Sequence, residues 1–323
     1  RPVTTAFQNT DVSWITDQDV AATIAALSAP IKKLMADSQA SASGSQSTAY
    51  RRGALRERPI IQFEIDGAIR YSRPIEMLLK WRLSTGLYYD VISDRAVRDC
   101  NWIGAAFEKY VRDLWQAKYP NKTIIGDIPF GTKAQPRRTP DVLVEENGAI
   151  THVIECKVAK MPLVVQTSVE NSPARTRVIN DVATGVKQAC AFLQLVSEGL
   201  PELKLVVSES ALPVVVTLDD WVFFGNDMRK EIFELARKKL LDENHSKAVP
   251  RVEGVILCTA AELELLLTAQ EPNAVDDVLQ RSLLPEHKGS PLGAVMAAVK
   301  SGRLENPRNP LGNRLQQFIG SQC

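Results

Sequence analysis

The chain reads as an α/β protein, a mixed sheet with helices on both faces. Three observations predict this. Between about residues 123 and 158, three short runs rich in apolar and β-branched residues follow one another, and Asn147-Gly148 joins the last two as a hairpin-type turn. A long amphipathic segment precedes them, and helix-like and strand-like segments alternate after them. A meander followed by such alternation places helices on both sides of one sheet. The 323 residues are 45% hydrophobic and 24% charged, an ordinary balance for a chain long enough to bury a sizeable core.

The elements follow in order. Residues 17–36 carry Ala21, Ile24, Ala25, Leu27, Ile31, Leu34 and Met35 at helical spacing, with Pro30 expected to kink or split the helix. Residues 38–48, rich in Ser, Ala and Gln, read as a linker. Residues 60–71 alternate around Asp66-Gly67 as a hairpin, and 74–83 read as helical. A strong helix is predicted within 94–118, with Ile103, Phe107, Tyr110, Val111, Leu114 and Trp115 on one face, stopped by Pro120-Asn121. Strands are predicted over 123–130, 139–144 and 149–158. A helix over 178–196 follows, with Val182, Val186, Ala189, Phe192, Leu193 and Val196 as its buried stripe. A strand over 213–218, a charged helix over 228–241, a strand over 252–258 and a helix over 260–269 complete the alternation. This divides the chain into an N-terminal helical and hairpin extension (1–95), a core (96–270) and a C-terminal helical extension (271–323).

Bulk chemistry narrows the function. A net charge of +1 provides no global basic field, so any nucleic-acid binding must use local patches. The five cysteines are scattered, without a C-x-x-C pair, and the three histidines do not share metal-ligand spacing with them, which argues against a zinc site or a disulfide framework. With no apolar run of membrane-spanning length and no signal peptide in view, the expectation is a cytoplasmic protein that does not enter a membrane.

The informative stretch is Pro140-Asp141-Val142-Leu143-Val144 followed by Val153-Ile154-Glu155-Cys156-Lys157. Side chains alternate along a strand, so Val153, Glu155 and Lys157 share one face and Ile150, His152, Ile154 and Cys156 the other. Ionisable groups inside a sheet are costly unless they pair or bind a metal. Two carboxylates offer hard oxygen ligands suited to Mg²⁺, and an ammonium can orient a water or offset charge on a phosphate.

These residues resemble the motif of the PD-(D/E)XK nuclease superfamily, the restriction-endonuclease-like proteins. The resemblance covers roughly residues 101–259 and implies an αβββαβ core. It implies that Asp141 and Glu155 bind metal and that Lys157 positions the attacking water. Glu108 matches the helical Glu that assists in many members; a helical wheel puts it at the edge of the apolar stripe, between Trp115 and Arg112. Gln188 matches the Gln on the helix after the third strand. The implied cofactor is Mg²⁺, with Mn²⁺ able to substitute, and the implied partner is DNA. Lys133, Arg137 and Arg138 before the second strand, and Arg175 and Arg177 in a loop after Pro173, are candidate phosphate contacts. The expected activity is DNA cleavage in restriction, phage defence or mobile-element processing. The alternative is a subunit of the same fold that binds nucleic acid or protein and is silent without a partner. The extensions suit either a homodimer or a partner protein. A Cys156–His152 nucleophile pair is disfavoured, because four residues along a strand separate them by about 13 Å.

Overall fold

A computed structural model describes residues 16–42, 54–83, 101–133, 135–159, 173–199, 203–218, 226–269 and 272–299. The chain divides into two units. Of the described residues, one holds 16–83 and the other 101–299.

In the first unit, helix α1 (Asp17–Leu27) opens on a capping box: the Asp19 amide donates to the Thr16 hydroxyl, and the Asp19 carboxylate accepts the Thr16 N–H at 2.9 Å. The single kinked helix expected over 17–36 is instead two. Ser28–Pro30 leaves the helix as a short strand, β1, and α2 (Ile31–Ala42) resumes after it. Proline has no amide to donate to a helix and is tolerated in an edge strand, which is where Pro30 lies. Helix α2 takes in the start of the stretch read as a linker; residues 43–48 of that stretch lie outside the described residues. After α3 (Ala54–Glu57), strand β2 (Ile60–Ile65) pairs parallel with β1 and antiparallel with β3 (Ala68–Ser72). The hairpin turns at Asp66 and Gly67 with φ of 51° and 72°, as a primed two-residue turn requires. Helix α4 (Glu76–Leu83) follows.

The second unit begins with α5 (Asn101–Lys118); residues 94–100 of the helix read from sequence lie outside the described residues. The strand expected over 123–130 is two strands. β4 (Thr123–Gly126) belongs to the main sheet, whereas β5 (Pro129–Thr132) forms a separate hairpin with β6 (Gln135–Arg138). Thr139 holds the base of this excursion: its amide donates to the Ile128 carbonyl at 3.0 Å, and its hydroxyl accepts the Ile128 N–H at 2.8 Å. β7 (Val142–Glu146) and β8 (Ala149–Lys157) meet at Asn147-Gly148, where φ is 53° and 79°. Then come α6 (Pro173–Ser197), β9 (Val207–Thr217), α7 (Asn226–Asp242), β10 (Ile256–Thr259), α8 (Ala260–Ala269), α9 (Pro272–Arg281) and α10 (Leu292–Val299). The strand expected over 252–258 is borne out only from Ile256 onward; residues 252–254 end a 3₁₀ segment, Ser246–Gly254, that contains Pro250 and buries Ala248 and Val252.

The sheet order is β10-β9-β8-β7-β4. The first three strands are parallel and the last three antiparallel, so the protein is mixed α/β. The pleat sends alternate side chains to two cores. Val142, Val144, Ile154 and Cys156 pack with Phe107, Val111, Leu114 and Trp115 of α5 and with α8, α9 and α10. Leu143 and Val153 pack with Ala189, Phe192, Leu193 and Val196 of α6, and Ile150, expected on the other face with His152, Ile154 and Cys156, joins them because the register of β8 shifts between Ile150 and His152. The helices of 272–299, read as a C-terminal extension, therefore complete one of these cores.

Candidate active site

Val153 enters the core beneath α6, and the pleat carries Glu155 and Lys157 to that same face two and four residues later. Glu155 is only 3% exposed. The Lys157 ammonium donates to Glu155 Oε1 at 2.7 Å and to Gln188 Oε1 on α6 at 2.8 Å. Close approach of strand and helix is possible because α6 carries glycine at 185. A Cβ there would lie 3.0 Å from Lys157 Cε and 3.3 Å from Glu155 Cγ.

Asp141 reaches the same region by another route. The β7–β8 ladder stops at Val142–Ile154, because Pro140 and Asp141 precede the strand. The next amide of β8 facing β7 belongs to Cys156, and Asp141 Oδ2 accepts it at 2.7 Å. The carboxylate thus completes the ladder and is fixed at its end. Buried Thr139 and Pro140 anchor the segment that delivers it.

Burial pushes the Asp141 carboxyl up to about 6. Glu108 and Asp127 add to the rise, against the Cys156 amide and Lys157. Burial likewise pushes Glu155 up to about 8, opposed by Lys157 and reinforced by Asp141 and Glu108. Burial pulls the Lys157 ammonium down, but Glu155 and Asp141 outweigh it and its pKa is raised. Half-buried Glu108, on α5, is therefore within electrostatic reach of both strand carboxylates.

The donor chemistry suits a hard divalent cation: two carboxylates whose burial and mutual repulsion a positive ion would relieve. Among the described residues, no group of three or more His, Cys, Asp or Glu is placed to hold a metal. The arrangement is thus a carboxylate pair, Asp141 and Glu155, with Glu108 as a charged neighbour.

The outlying candidates separate. Arg137 is exposed on β6, and Lys133 is exposed in the β5–β6 turn. Arg138 is ion-paired with Asp127. Arg175 and Arg177 lie not in a loop but in the first turns of α6, because Pro173 is suited to a helix start. Arg175 makes a bidentate pair with Glu231 of α7, at 2.6 and 3.1 Å, and Arg177 is exposed. Cys156 and His152 do not form a nucleophile pair. Burial raises the Cys156 thiol well above its ordinary pKa, and the His152 ring packs 4.9 Å from that of Trp115 with Nε2 3.1 Å from Asp276 Oδ1.

Gly185 is the site residue that reading the sequence overlooks. Its signal is there: a glycine inside an amphipathic helix, three residues before Gln188 and so on the same face, at a cost of about 1 kcal/mol relative to alanine. No family model matches the chain, and no curated protein or solved structure matches it either. Among the described residues, no helix is long and apolar enough to cross a membrane.

Proposed function

We propose that the chain is a metal-dependent endonuclease of the PD-(D/E)XK superfamily that hydrolyses DNA phosphodiester bonds. The observation carrying this reading is that Asp141, Glu155 and Lys157 lie together at the ends of two paired strands, with Lys157 bridging Glu155 and Gln188. The order α5, β4, β7, β8, α6, β9, with β5–β6 inserted, supports it as an αβββαβ arrangement.

Asp141 and Glu155 would hold Mg²⁺ or Mn²⁺, and Glu108 would add negative charge from α5. When bound, the ion supplies polarisation of a phosphoryl oxygen and acidification of a water. Gln188 and Glu155 hold the Lys157 ammonium in one place, from which it orients the attacking water or offsets charge on the phosphate. Cleavage in restriction, phage defence or mobile-element processing would use this chemistry.

Incubation of the purified chain with plasmid, linear and single-stranded DNA, in Mg²⁺ or Mn²⁺ against EDTA, tests the reading. Metal-dependent cleavage is expected, and it is lost in Glu155→Gln and Lys157→Ala. Cleavage by Glu155→Gln at the wild-type rate refutes it.

One observation favours a second reading, a subunit that is silent until a partner acts on it. Both carboxylates are already engaged by protein groups, Asp141 by the Cys156 amide and Glu155 by Lys157. In that case the purified chain leaves all three DNAs intact, yet Mg²⁺ still stabilises it and Glu155→Gln removes that stabilisation.

A further inference from the structure

Beside Gln188 the surface opens into a groove of about 600 Å³, within the size range of small-ligand sites. One wall is the β5–β6 hairpin, where Phe130 and Arg137 are direct cross-strand partners. The opposite wall is α6, which contributes Gln188 and buried Phe192. The groove runs to Thr139 and Pro140, the residues immediately before Asp141, and shares Gln188, which accepts from Lys157, with the candidate site.

Its charges are not equivalent. Arg138 is taken by Asp127, and Lys187 lies 3.0 Å from Glu243. The Arg137 guanidinium forms no ion pair or hydrogen bond among the described residues. The groove therefore offers aromatic and apolar surface, one free guanidinium and an amide side chain, next to a site suited to phosphodiester chemistry. That combination matches a nucleotide: a flat base for Phe130 and one phosphate for Arg137. A base within a duplex exposes only its edges in the grooves, so it can present its face to Phe130 only when it is unpaired.

We propose that this groove takes one unpaired nucleotide of the strand being cut. The preferred substrate is then single-stranded DNA or a junction of single strand and duplex, not an uninterrupted duplex. The inference rests on the nuclease reading of the adjacent site, but its test reads binding instead of cleavage.

Fluorescence anisotropy in EDTA compares the full chain with labelled oligo-dT, a blunt duplex and the same duplex carrying a short single-stranded arm. Oligo-dT or the armed duplex is expected to bind about tenfold more tightly than the blunt duplex. Preference for oligo-dT identifies free single strands as the source of the nucleotide, and preference for the armed duplex identifies junctions. Phe130→Ala should lower that affinity several-fold while leaving the blunt duplex unchanged, and Arg137→Ala should lower it several-fold more than it lowers binding of the blunt duplex. Equal or undetectable binding of all three probes overturns the proposal, as does an unchanged preference in both variants. A chain that binds through Phe130 but cuts nothing in Mg²⁺ or Mn²⁺ upholds the groove and refutes the nuclease. A chain that cuts blunt duplex as fast as armed duplex does the reverse.

Discussion

The Asp141 carboxylate accepts the backbone N–H of Cys156 at 2.7 Å, so one side chain both closes a β-ladder and lies within electrostatic reach of Glu155 and Lys157. The two roles separate by substitution. Asp141→Asn keeps an acceptor for the amide and removes the negative charge. Asp141→Ala removes both and leaves a partly buried amide unsatisfied, at a cost of about 1–3 kcal/mol. Both variants are expected to lose metal-dependent cleavage, but only the alanine variant should show the lower urea midpoint. Equal midpoints for the two would show that the contact contributes nothing to the fold.

Glu155 and Asp141 are expected to make the protein sensitive to alkali in EDTA. Both carboxyls are raised above their ordinary values by burial, Asp141 to about 6 and Glu155 to about 8. A carboxyl raised by folding contributes its stability in full below the ordinary carboxylate pKa and loses it as pH rises through the folded value. The melting temperature in EDTA should therefore fall from about pH 5 to pH 9. Added Mg²⁺ should restore it most at the alkaline end. Glu155→Gln removes the larger shift, so it should flatten the profile and stabilise the metal-free chain at pH 8 by on the order of a few kcal/mol. A steep alkaline loss that persists in Glu155→Gln would place its origin elsewhere.

His152 packs against Trp115 in the core, on the sheet face opposite Glu155 and Lys157, with the part-exposed Asp276 beside it. His152 is 2% exposed, its Nδ1 lies 3.0 Å from the Thr151 hydroxyl, and its Nε2 lies 3.1 Å from Asp276. Removing it empties space against Trp115 and leaves Asp276 without this neighbour. His152→Ala is expected to lower stability by about 2–4 kcal/mol. Cleavage at a temperature where the variant stays folded should be unchanged. A large loss of cleavage rate with stability intact would give His152 a role the geometry does not.

What was legible in the sequence was local. Period-two alternation around the Asn147-Gly148 turn is enough to put Glu155 and Lys157 on one face with Val153, because a one-residue slip would send the whole strand's apolar set to the wrong side. Helix α6 and its buried stripe follow from the same reasoning at a period of 3.6. What escaped was set by partners distant in sequence. Ser28–Pro30 is a strand only because Ile60–Gln62 lies beside it. The break after Gly126 depends on Thr139 holding Ile128, eleven residues away. Within the site, the contact of Asp141 with the Cys156 amide could not be read from alternation, since Asp141 precedes the strand. Burial of Val252 in a 3₁₀ segment looks like a strand when only its apolar run is seen.

Gly185 provides the sharpest test of how the site is built. Its missing side chain is occupied by the stems of Lys157 and Glu155, and a methyl group there would meet Lys157 Cε and Cγ at 3.0 and 3.2 Å. Lys157 is flexible enough to yield, so the fold should survive. Alanine also favours the helix over glycine by about 1 kcal/mol, which offsets the crowding. The ammonium, however, must then leave its position between Glu155 Oε1 and Gln188 Oε1. Misplacing a positioned group by about 1 Å can cost on the order of 10²-fold in rate. Gly185→Ala is therefore expected to retain its melting temperature within a few degrees and to lose cleavage by about that factor in kcat, with little change in KM. Gln188→Ala should produce a smaller loss of the same kind, because Lys157 keeps its contact with Glu155. Wild-type cleavage by Gly185→Ala would mean that the placement of Lys157 does not limit the reaction.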